Sequence, residues 1–501
     1  MKKTHRTLTL VAILLSLFMG AMEATVIATA MPTVVADLGG LELYGWVSSV
    51  YLLASTVTIP LYGKLSDLYG RKPLMLLGIA LFLAGSMASG LAQTMPALIA
   101  FRALQATGAG ALQALAFTIV GDIYTAQERA KIQGVFGAVW GFAGVSGPFL
   151  GGVIVHLLSW RWVFFVNVPV GILAAGVLTA SFHEERREKK KPRLDLEGAA
   201  LLSTTIIALL LGVSRVAPMI TLPIAALSLV AFIWVERRAA DAVLPLDLFS
   251  TPLIAVASGL GACLGGSMMA TVTYLPLYLQ AVLQATPTEA GATLAPMLVG
   301  WPVASALSGR LLARFAYRTL IITGWVITCV STIALAILVT RAAPINVFRV
   351  GMLTLGVGLG LVSTPLLISV QESVTWAQRG VATASTTFFR TIGGSIMVGA
   401  LGAVLAAHLR GGADPRAVNS LFGPEHGRNL APAVLRDLAG MLSSGLETVF
   451  VVIAVVVVFA LVVSFFYPRI RMATGAPPPA ASKPAPSLPL DQNRPETATP
   501  P

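Results

Sequence analysis

Apolar residues run through this chain in blocks of about twenty, separated by short polar, basic or Pro/Gly-rich breaks. The blocks fall near residues 8–31, 44–62, 74–92, 97–120, 133–156, 163–182, 198–214, 219–236, 253–280, 290–309, 319–340, 347–370, 382–409 and 443–467. None shows the ten-residue alternation of a membrane barrel strand. Each is close to the ~20 apolar residues that a helix needs to cross the hydrocarbon core. The pattern predicts an all-α polytopic membrane protein with about fourteen spans.

Composition agrees with that reading. Of 501 residues, 56% are hydrophobic and 11% charged, and mean hydropathy is +0.82; a soluble fold of this size has no interior large enough for so much apolar surface. The net charge of +12 would suggest nucleic acid in a soluble protein, but its placement removes that reading. Lys2, Lys3 and Arg6 precede the first block, and Lys64, Arg71 and Lys72 follow the second. Arg129 and Lys131 follow the fourth, the run from Arg186 to Arg193 follows the sixth, Arg237 and Arg238 the eighth, and Arg310, Arg314 and Arg318 the tenth. The intervening short breaks hold almost none, with Arg161, Arg215, Arg341 and Arg349 as scattered exceptions. Basic residues mark the cytoplasmic side, so both termini are placed there and the surplus charge serves topology and contact with anionic lipid. The first block exceeds a signal-peptide core and is expected to stay as an anchor. Cys263 and Cys329 lie within spans and read as small apolar fillers, with no disulfide, metal or redox chemistry implied.

The expected organisation is a six-helix bundle over 1–182, a basic cytoplasmic loop and two extra membrane helices over 183–252, and a second six-helix bundle over 253–467. A long outer loop near 410–442, with a short helix around Ala431–Leu442, interrupts the second bundle. The Pro/Ala-rich stretch within 468–501 reads as a disordered tail. One repeat stands out: GKLSDLYGRK (Gly63–Lys72) and GRLLARFAYR (Gly309–Arg318) are glycine-led basic links half a chain apart. Repeated halves that rock about a central site are a transporter architecture.

GKLSDLYGRKP resembles the signature loop G-x-L-a-D-x-x-G-R-K/R of the major facilitator superfamily at Gly63, Leu65, Asp67, Gly70, Arg71 and Lys72. Its glycines suit a tight turn at helix ends, and its acid and bases suit charge-assisted contacts. The resemblance implies a cytoplasmic gate joining Asp67 and Arg71 to an acid at the end of the fourth span, the position of Asp122; the plainer reading is that the bases only mark the inside. FRALQATGAGA resembles the family's R-x-x-Q-G-x-G pattern at Arg102, Gln105, Gly108 and Gly110, with Ala106 in place of a glycine. The resemblance links Arg102 to proton coupling, against a snorkelling role at the outer interface. GAVWGFAGVSGPFLGG resembles the antiporter motif at Gly144, Gly147, Pro148, Gly151 and Gly152, and its glycines make a smooth face for close helix approach. Pro148 is able to kink the span. WRWVFFVNVPVG (Trp160–Gly171), with DLEG, LPLDLF, YLPLYLQAVLQATPTEAGATLAPM, GVGLGLVSTP and QRGVATASTTFFRTIGGS further on, is similar to the fourteen-span drug:proton antiporters of EmrB/QacA type.

Glu23, in MEATVIATAMP, occupies the place where that subfamily often has aspartate. A central acidic residue costs roughly 2.5–3.5 kcal/mol on insertion scales, and three readings stand side by side. Glu23 faces the central cavity and exchanges a proton as access alternates; it stays ionised and attracts a cationic substrate; or it is a satisfied packing acid. Arg390 either lines the cavity or packs against carbonyls. Glu447 and His156 read as interfacial, and Glu372 as a partner of Arg379 or water. Met19, Met22, Met268 and Met269 read as packing.

The resemblance implies a secondary active transporter, not an enzyme: a proton-coupled antiporter exporting lipophilic drugs or toxic molecules, cations among them, across the cytoplasmic membrane as a monomer. The proton gradient is the energy source and no cofactor is expected, since no G-x-x-x-x-G-K-[ST] loop is present. Small lipophilic substrates, protons and membrane lipids are the expected partners. The alternatives are a dedicated exporter of an endogenous lipid, siderophore or antibiotic, or a membrane receptor on the same scaffold.

Overall fold

The computed structural model describes residues 4–39, 43–184, 195–213, 216–239, 242–285, 287–409 and 432–471. Among them the regular structure is entirely helical. The first set comprises α1 (Arg6–Leu38), α2 (Tyr44–Tyr69), α3 (Arg71–Gly90), α4 (Met95–Ile123), α5 (Ala126–Leu157), α6 (Trp162–Phe165) and α7 (Asn167–Ser181). A pair follows, α8 (Leu196–Val213) and α9 (Pro218–Glu236). The second set is α10 (Pro252–Ala281), α11 (Pro287–Leu311), α12 (Tyr317–Thr340), α13 (Ile345–Ser373), α14 (Arg379–Leu409) and α15 (Pro432–Ser464).

Helices α1–α7 pack mainly among themselves, as do α10–α15, and the two sets meet along α2–α14 and α5–α11. Each set has its own apolar interior: Ile13, Phe82, Leu115 and Leu178 in the first, Leu275, Trp325, Phe348 and Phe450 in the second. The α8–α9 pair packs on the α2–α14 seam, where Ile206 and Phe232 meet Ile59 and Phe388. The outward faces are apolar too. On α15, Val451, Val455, Phe459 and Val462 are at least half exposed at one-turn spacing, as lipid-facing positions are.

Twelve described segments, α6–α7 taken together, are long and apolar enough to cross a membrane. Two further helices, α2 and α5, match the remaining expected blocks in length, at 26 and 32 residues. Each combines contacts across the two halves with exposed apolar side chains such as Leu52 and Phe142, and they carry Lys64 and Asp67, or Glu128, Arg129 and Lys131, at their basic ends.

Two further expectations change. The separate short helix around Ala431–Leu442 is the start of α15, which runs unbroken for 33 residues; its polar first turns are helix extending beyond the apolar run. The link Gly63–Lys72 is not a loop: α2 continues to Tyr69, and Gly70 alone, at φ +100°, makes the turn into α3. The basic run Arg186–Arg193, residues 410–431 of the outer loop and residues 472–501 of the tail lie outside the described residues.

Candidate functional site

Three arrangements carry chemistry, beginning with the seam on the basic side. Arg71 is fully buried at the start of α3. It donates from Nη2 to Asp67 Oδ1 at 2.6 Å, from Nε to Asp122 Oδ2 at 3.0 Å and from Nη1 to the Ser66 carbonyl at 2.9 Å. Its guanidinium also lies 4.2 Å from the centroid of the Trp376 ring, across the seam. Asp122, at the end of α4, accepts in turn from Arg379 Nη1 of α14 at 3.1 Å. Asp67 accepts from the backbone N–H groups of Gly380 (3.1 Å) and Val381 (2.8 Å). These belong to the first turn of α14, where helix N–H groups have no partner of their own. A carboxylate on one half thus caps a helix on the other, where the helix dipole favours negative charge.

The steric fit is equally close. A Cβ on Gly380 would sit 2.4 Å from Asp67 Oδ1, and one on Gly63 would sit 2.3 Å from the Ala384 Cβ. Gly63 therefore serves close helix approach, not the turn. Arg129 adds a cross-seam bond to Gln371 Oε1 at 3.0 Å, and Gln371 donates to the Phe117 carbonyl at 3.2 Å. Lys72 reaches the Thr179 and Phe182 carbonyls instead, closing α3 on α7 within its own half. Glu184 caps α3, accepting from the N–H groups of Arg71 (2.9 Å) and Lys72 (3.1 Å).

The second arrangement is the glycine face of α5 against α11. A Cβ would meet Pro302 O at 2.8 Å from Gly134, Pro302 Cγ at 3.0 Å from Gly137, Leu298 Cβ at 3.3 Å from Gly141 and Leu298 Cδ1 at 3.6 Å from Gly144. At Gly152 nothing lies within 4 Å. The closest approach of α5 to α11 is thus near the basic side, at Gly134 and Gly137. Gly147 and Gly151 are buried farther along α5, which runs helical through Pro148.

The third is a polar cluster inside the first half. Glu23 on α1 and Arg102 on α4 are each 1% exposed and form an ion pair. The other Glu23 oxygen accepts from Asn167 Nδ2 at 2.8 Å. Arg102 also donates to Gln105 Oε1 at 2.7 Å and lies 4.3 Å from the Tyr51 ring centroid. Ser86 completes the set, receiving bonds from Gln105 (3.2 Å) and Asn167 (3.0 Å) and donating to the Phe164 carbonyl at 2.9 Å. Local sequence explains the geometry. Pro169 has no N–H for the carbonyl four residues back, the helix breaks between α6 and α7, and Asn167 opens the new segment. Gly85 lets α3 approach to 2.3 Å between a built Cβ and Gln105 N, which fixes the height of Arg102 and Gln105. Gly108 and Gly110, of the same α4 string, allow equally close approach of α3 and α2.

These contacts revise the reading of several side chains. Glu23 does not face a cavity between the halves: every partner belongs to the first half, because Arg102 one helix away neutralises a charge that a cavity would leave unpaired. Arg102 does not snorkel. Arg379 pairs with Asp122, and Glu372 instead accepts from Tyr317 Oη at 2.6 Å. Arg390 lines a cavity of about 20 Å³ between the halves. Asn167, Ser86, Tyr51, Glu184, Gly380 and Gln371 were not singled out as site residues. Asn167 alone carried a local signal, as a polar residue in the apolar run VFFVNVPVG. On the outer side, hydrogen bonds from Trp160 Nε1 (2.9 Å) and Arg161 Nη1 (2.8 Å) hold the exposed Asp37 carboxyl below its ordinary range. No group of three or more potential metal ligands occurs among the described residues.

Comparison with known proteins gives consistent results. The family model of the Major Facilitator Superfamily matches residues 13–398. The multidrug transporter protein MdtP of Bacillus subtilis (strain 168) is 34% identical over 417 residues, covering 81% of this chain and 76% of that protein. Multidrug resistance protein 3 of the same strain is 31% identical over 501 residues, covering 95% and 98%. Among solved structures, a bacterial homologue of the iron transporter ferroportin in an outward-facing state superposes with TM-score 0.65 at 14% identity, covering 92% of this chain and 98% of that one. The proton:xylose symporter XylE gives 0.62 at 15%, covering 92% and 95%. At these identities the two structures share the fold alone. The family match over most of the chain, together with the two apolar helical halves and the Asp67–Arg71 seam, makes this chain a membrane transporter of the Major Facilitator Superfamily.

Proposed function

We propose that this transporter is a proton-driven antiporter that exports lipophilic small molecules, alternating between the arrangement described above, closed on the basic side, and one closed on the outer side. The observation that carries the reading is the buried Glu23–Arg102 pair with its Asn167 contact. A proton on Glu23 leaves Arg102 as a buried cation without its counter-charge, which costs several kcal/mol. The two protonation states of Glu23 therefore favour different packing of α1 against α4 and α7. A ligand shifts a conformational equilibrium only by its differential affinity for the two states, and here the proton is such a ligand.

Thermodynamics allows the exchange. The membrane potential supplies about 2.3 kcal/mol per charge per 100 mV, so inward protons drive export without nucleotide. Relatives named for multidrug transport support a lipophilic cargo. The fourteen-span EmrB/QacA-type grouping belongs to the same proposal, as do the gating role of the Asp67–Arg71–Asp122 seam and the antiporter role of the α5 glycine face.

The test is efflux of a neutral lipophilic fluorophore from liposomes containing the protein, with and without an imposed pH gradient. Wild type is expected to show gradient-dependent efflux, and Glu23→Gln to lose most of it. Equal proton-driven efflux by both would remove Glu23 as the coupling residue. No gradient-dependent efflux by wild type for any of a panel of lipophilic compounds would defeat the export reading itself.

A further inference from the structure

Two arginines within membrane helices, Arg102 and Arg390, have opposite circumstances. Arg102 has Glu23. Arg390, on α14, has no carboxylate within salt-bridge distance and no hydrogen-bond partner among the described residues; its guanidinium lies 5.4 Å from the centroid of the Phe117 ring on the opposite half. It is eleven residues beyond the basic end of α14, roughly 17 Å at the rise of an α-helix, so it sits at membrane depth. Its backbone is pressed against α10, where a Cβ on Gly265 would meet the Arg390 carbonyl at 1.8 Å. The side chain therefore has its freedom on the other side, toward the space between the halves.

That space is the cavity of about 20 Å³ above the seam, lined from both halves. Phe117 and Leu264 supply apolar wall, and Gln133, Ser363 and Thr387 supply polar groups beside Arg390. No acid lines it. Guanidinium is not deprotonated in proteins, and an isolated charge inside the membrane is costly unless paired. The charge is kept in the alternating path and left without a counter-charge from the chain.

We infer that Arg390 is the recognition site for the acid group of an amphipathic organic anion, so that the exporter's cargo is a lipophilic carboxylate or similar acid. This rests on the export reading above and names its substrate class. The guanidinium pairs with the acid as a fork, and Gln133 lies within the same cavity as a second donor; at about 20 Å³ the space holds little more than a water, so the lipophilic body enters along Phe117 and Leu264 only as the halves part. A lipophilic cation is disfavoured at this site, because no acid lines the cavity and Glu23, within the first half, is already neutralised by Arg102.

Equilibrium binding tests this apart from transport. The detergent-solubilised full-length protein is titrated with pyrenebutyrate, with its methyl ester and with a pyrenyl ammonium compound, following fluorescence anisotropy. Wild type is expected to bind the carboxylate more tightly than the ester or the cation. Arg390→Gln should weaken carboxylate binding about ten- to a hundredfold, the range of one lost charged hydrogen-bond pair, and leave the ester unchanged; Arg390→Lys should recover part of the loss. Ester binding and an unchanged elution profile report that Arg390→Gln is folded. Equal affinity of wild type for all three compounds, or unchanged carboxylate binding in Arg390→Gln, overturns the inference. Titrations in chloride and in gluconate separate a second source of the anion: a chloride effect abolished by Arg390→Gln, with no preference for the carboxylate, makes this an inorganic anion site and overturns the organic-anion assignment. Failure of the export reading appears elsewhere, as absence of gradient-driven ester efflux by wild type.

Discussion

Replacing Asp67 with Asn asks whether the basic-side seam is held shut by a capped helix or by apolar contact. In the closed seam Asp67 Oδ1 receives Arg71 Nη2 and Gly380 N, and Oδ2 receives Val381 N at 2.8 Å. An asparagine carbonyl can stand in for Oδ1, but the NH2 in place of Oδ2 meets the Val381 N–H donor against donor. One charge-assisted bond, about 1.5–3 kcal/mol, is lost, with a helix-terminus contribution of about 0.3–1 kcal/mol. The loss of Arg71's anion weighs on both conformations and largely cancels. What distinguishes closed from open is the contact with α14, so the closed state should lose about 2 kcal/mol, a roughly 30-fold change in the gate equilibrium. Spin labels at Tyr69 and Gln378, both exposed beside the seam, in a background lacking Cys263 and Cys329, report this as a distance distribution. Asp67→Asn should add a longer-distance population. A distribution identical to wild type would show that the apolar seam alone keeps the basic side closed, and the capping argument would fail.

Gly380→Ala places a methyl group 2.4 Å from Asp67 Oδ1, so it should open the same seam. Combined with Asp67→Asn it should be clearly non-additive, as contacting residues are; simple additivity in the spin-label populations would contradict a shared contact. Gly85→Val drives a side chain into Gln105 at the α3–α4 crossing and should destabilise the first half by about 1–3 kcal/mol, read as a lower melting midpoint; an unchanged midpoint would mean the crossing is not tight. At the outer surface, Asp37 has a carboxyl pKa lowered by Trp160 and Arg161. Its contribution is therefore complete above the ordinary carboxylate value, about 3.9, and lost only as pH falls through the lowered one. Tryptophan emission titrated against Asp37→Asn should show this transition below the ordinary value, and a transition at or above it would count against the two hydrogen bonds.

The membrane helices were legible because lipid imposes one rule, a long continuous apolar run, that is local in sequence. Where a helix also answers to a protein neighbour the rule weakens: α2 and α5 pack on the other half and carry charged residues at their basic ends. The Asp67–Arg71–Asp122 set was legible through spaced motif residues, but the role of Gly63 was not, since close approach to Ala384 is a contact across more than 300 positions. The same distance hid Gly380 and Gln371. Glu23 and Arg102 were both visible as charges in apolar helices, yet nothing along the chain says that 79 residues apart they meet. Asn167 could have been promoted by asking which polar group in the first half is able to reach them. Glu184 stands in the sequence just before the basic run Arg186–Arg193; only the fold shows it at the N-terminus of α3.

The two charge clusters have different boundaries, and that constrains how one informs the other. Glu23, Arg102, Asn167 and Ser86 all lie within the first half, so a proton can arrive or leave there without breaking any bond to the second half. Asp67, Asp122 and Arg379 form the reverse case, since their contacts span the seam and would break in the opening of the basic side proposed above. Helix α4 is common to both: Arg102 lies about two turns from its outer end and Asp122 one residue from its basic end. The twenty positions between them correspond to roughly 30 Å of helix. The glycines at 108 and 110 press α4 closely against α3 and α2 along that length, and tightly packed interiors move as units rather than deforming gradually. A change at Glu23 that shifts Arg102 is therefore carried by α4 as a rigid rod, together with the helices locked to it, and reaches Asp122 as a displacement of the whole first half against Arg379. A substitution that loosens α4 from α3 midway, at Gly108, should then weaken the link between the protonation of Glu23 and the state of the seam while leaving both clusters intact. Spin-label distances at the seam, measured against pH in Gly108→Val and in wild type, decide the matter. An undiminished pH response in Gly108→Val would exclude α4 as the carrier.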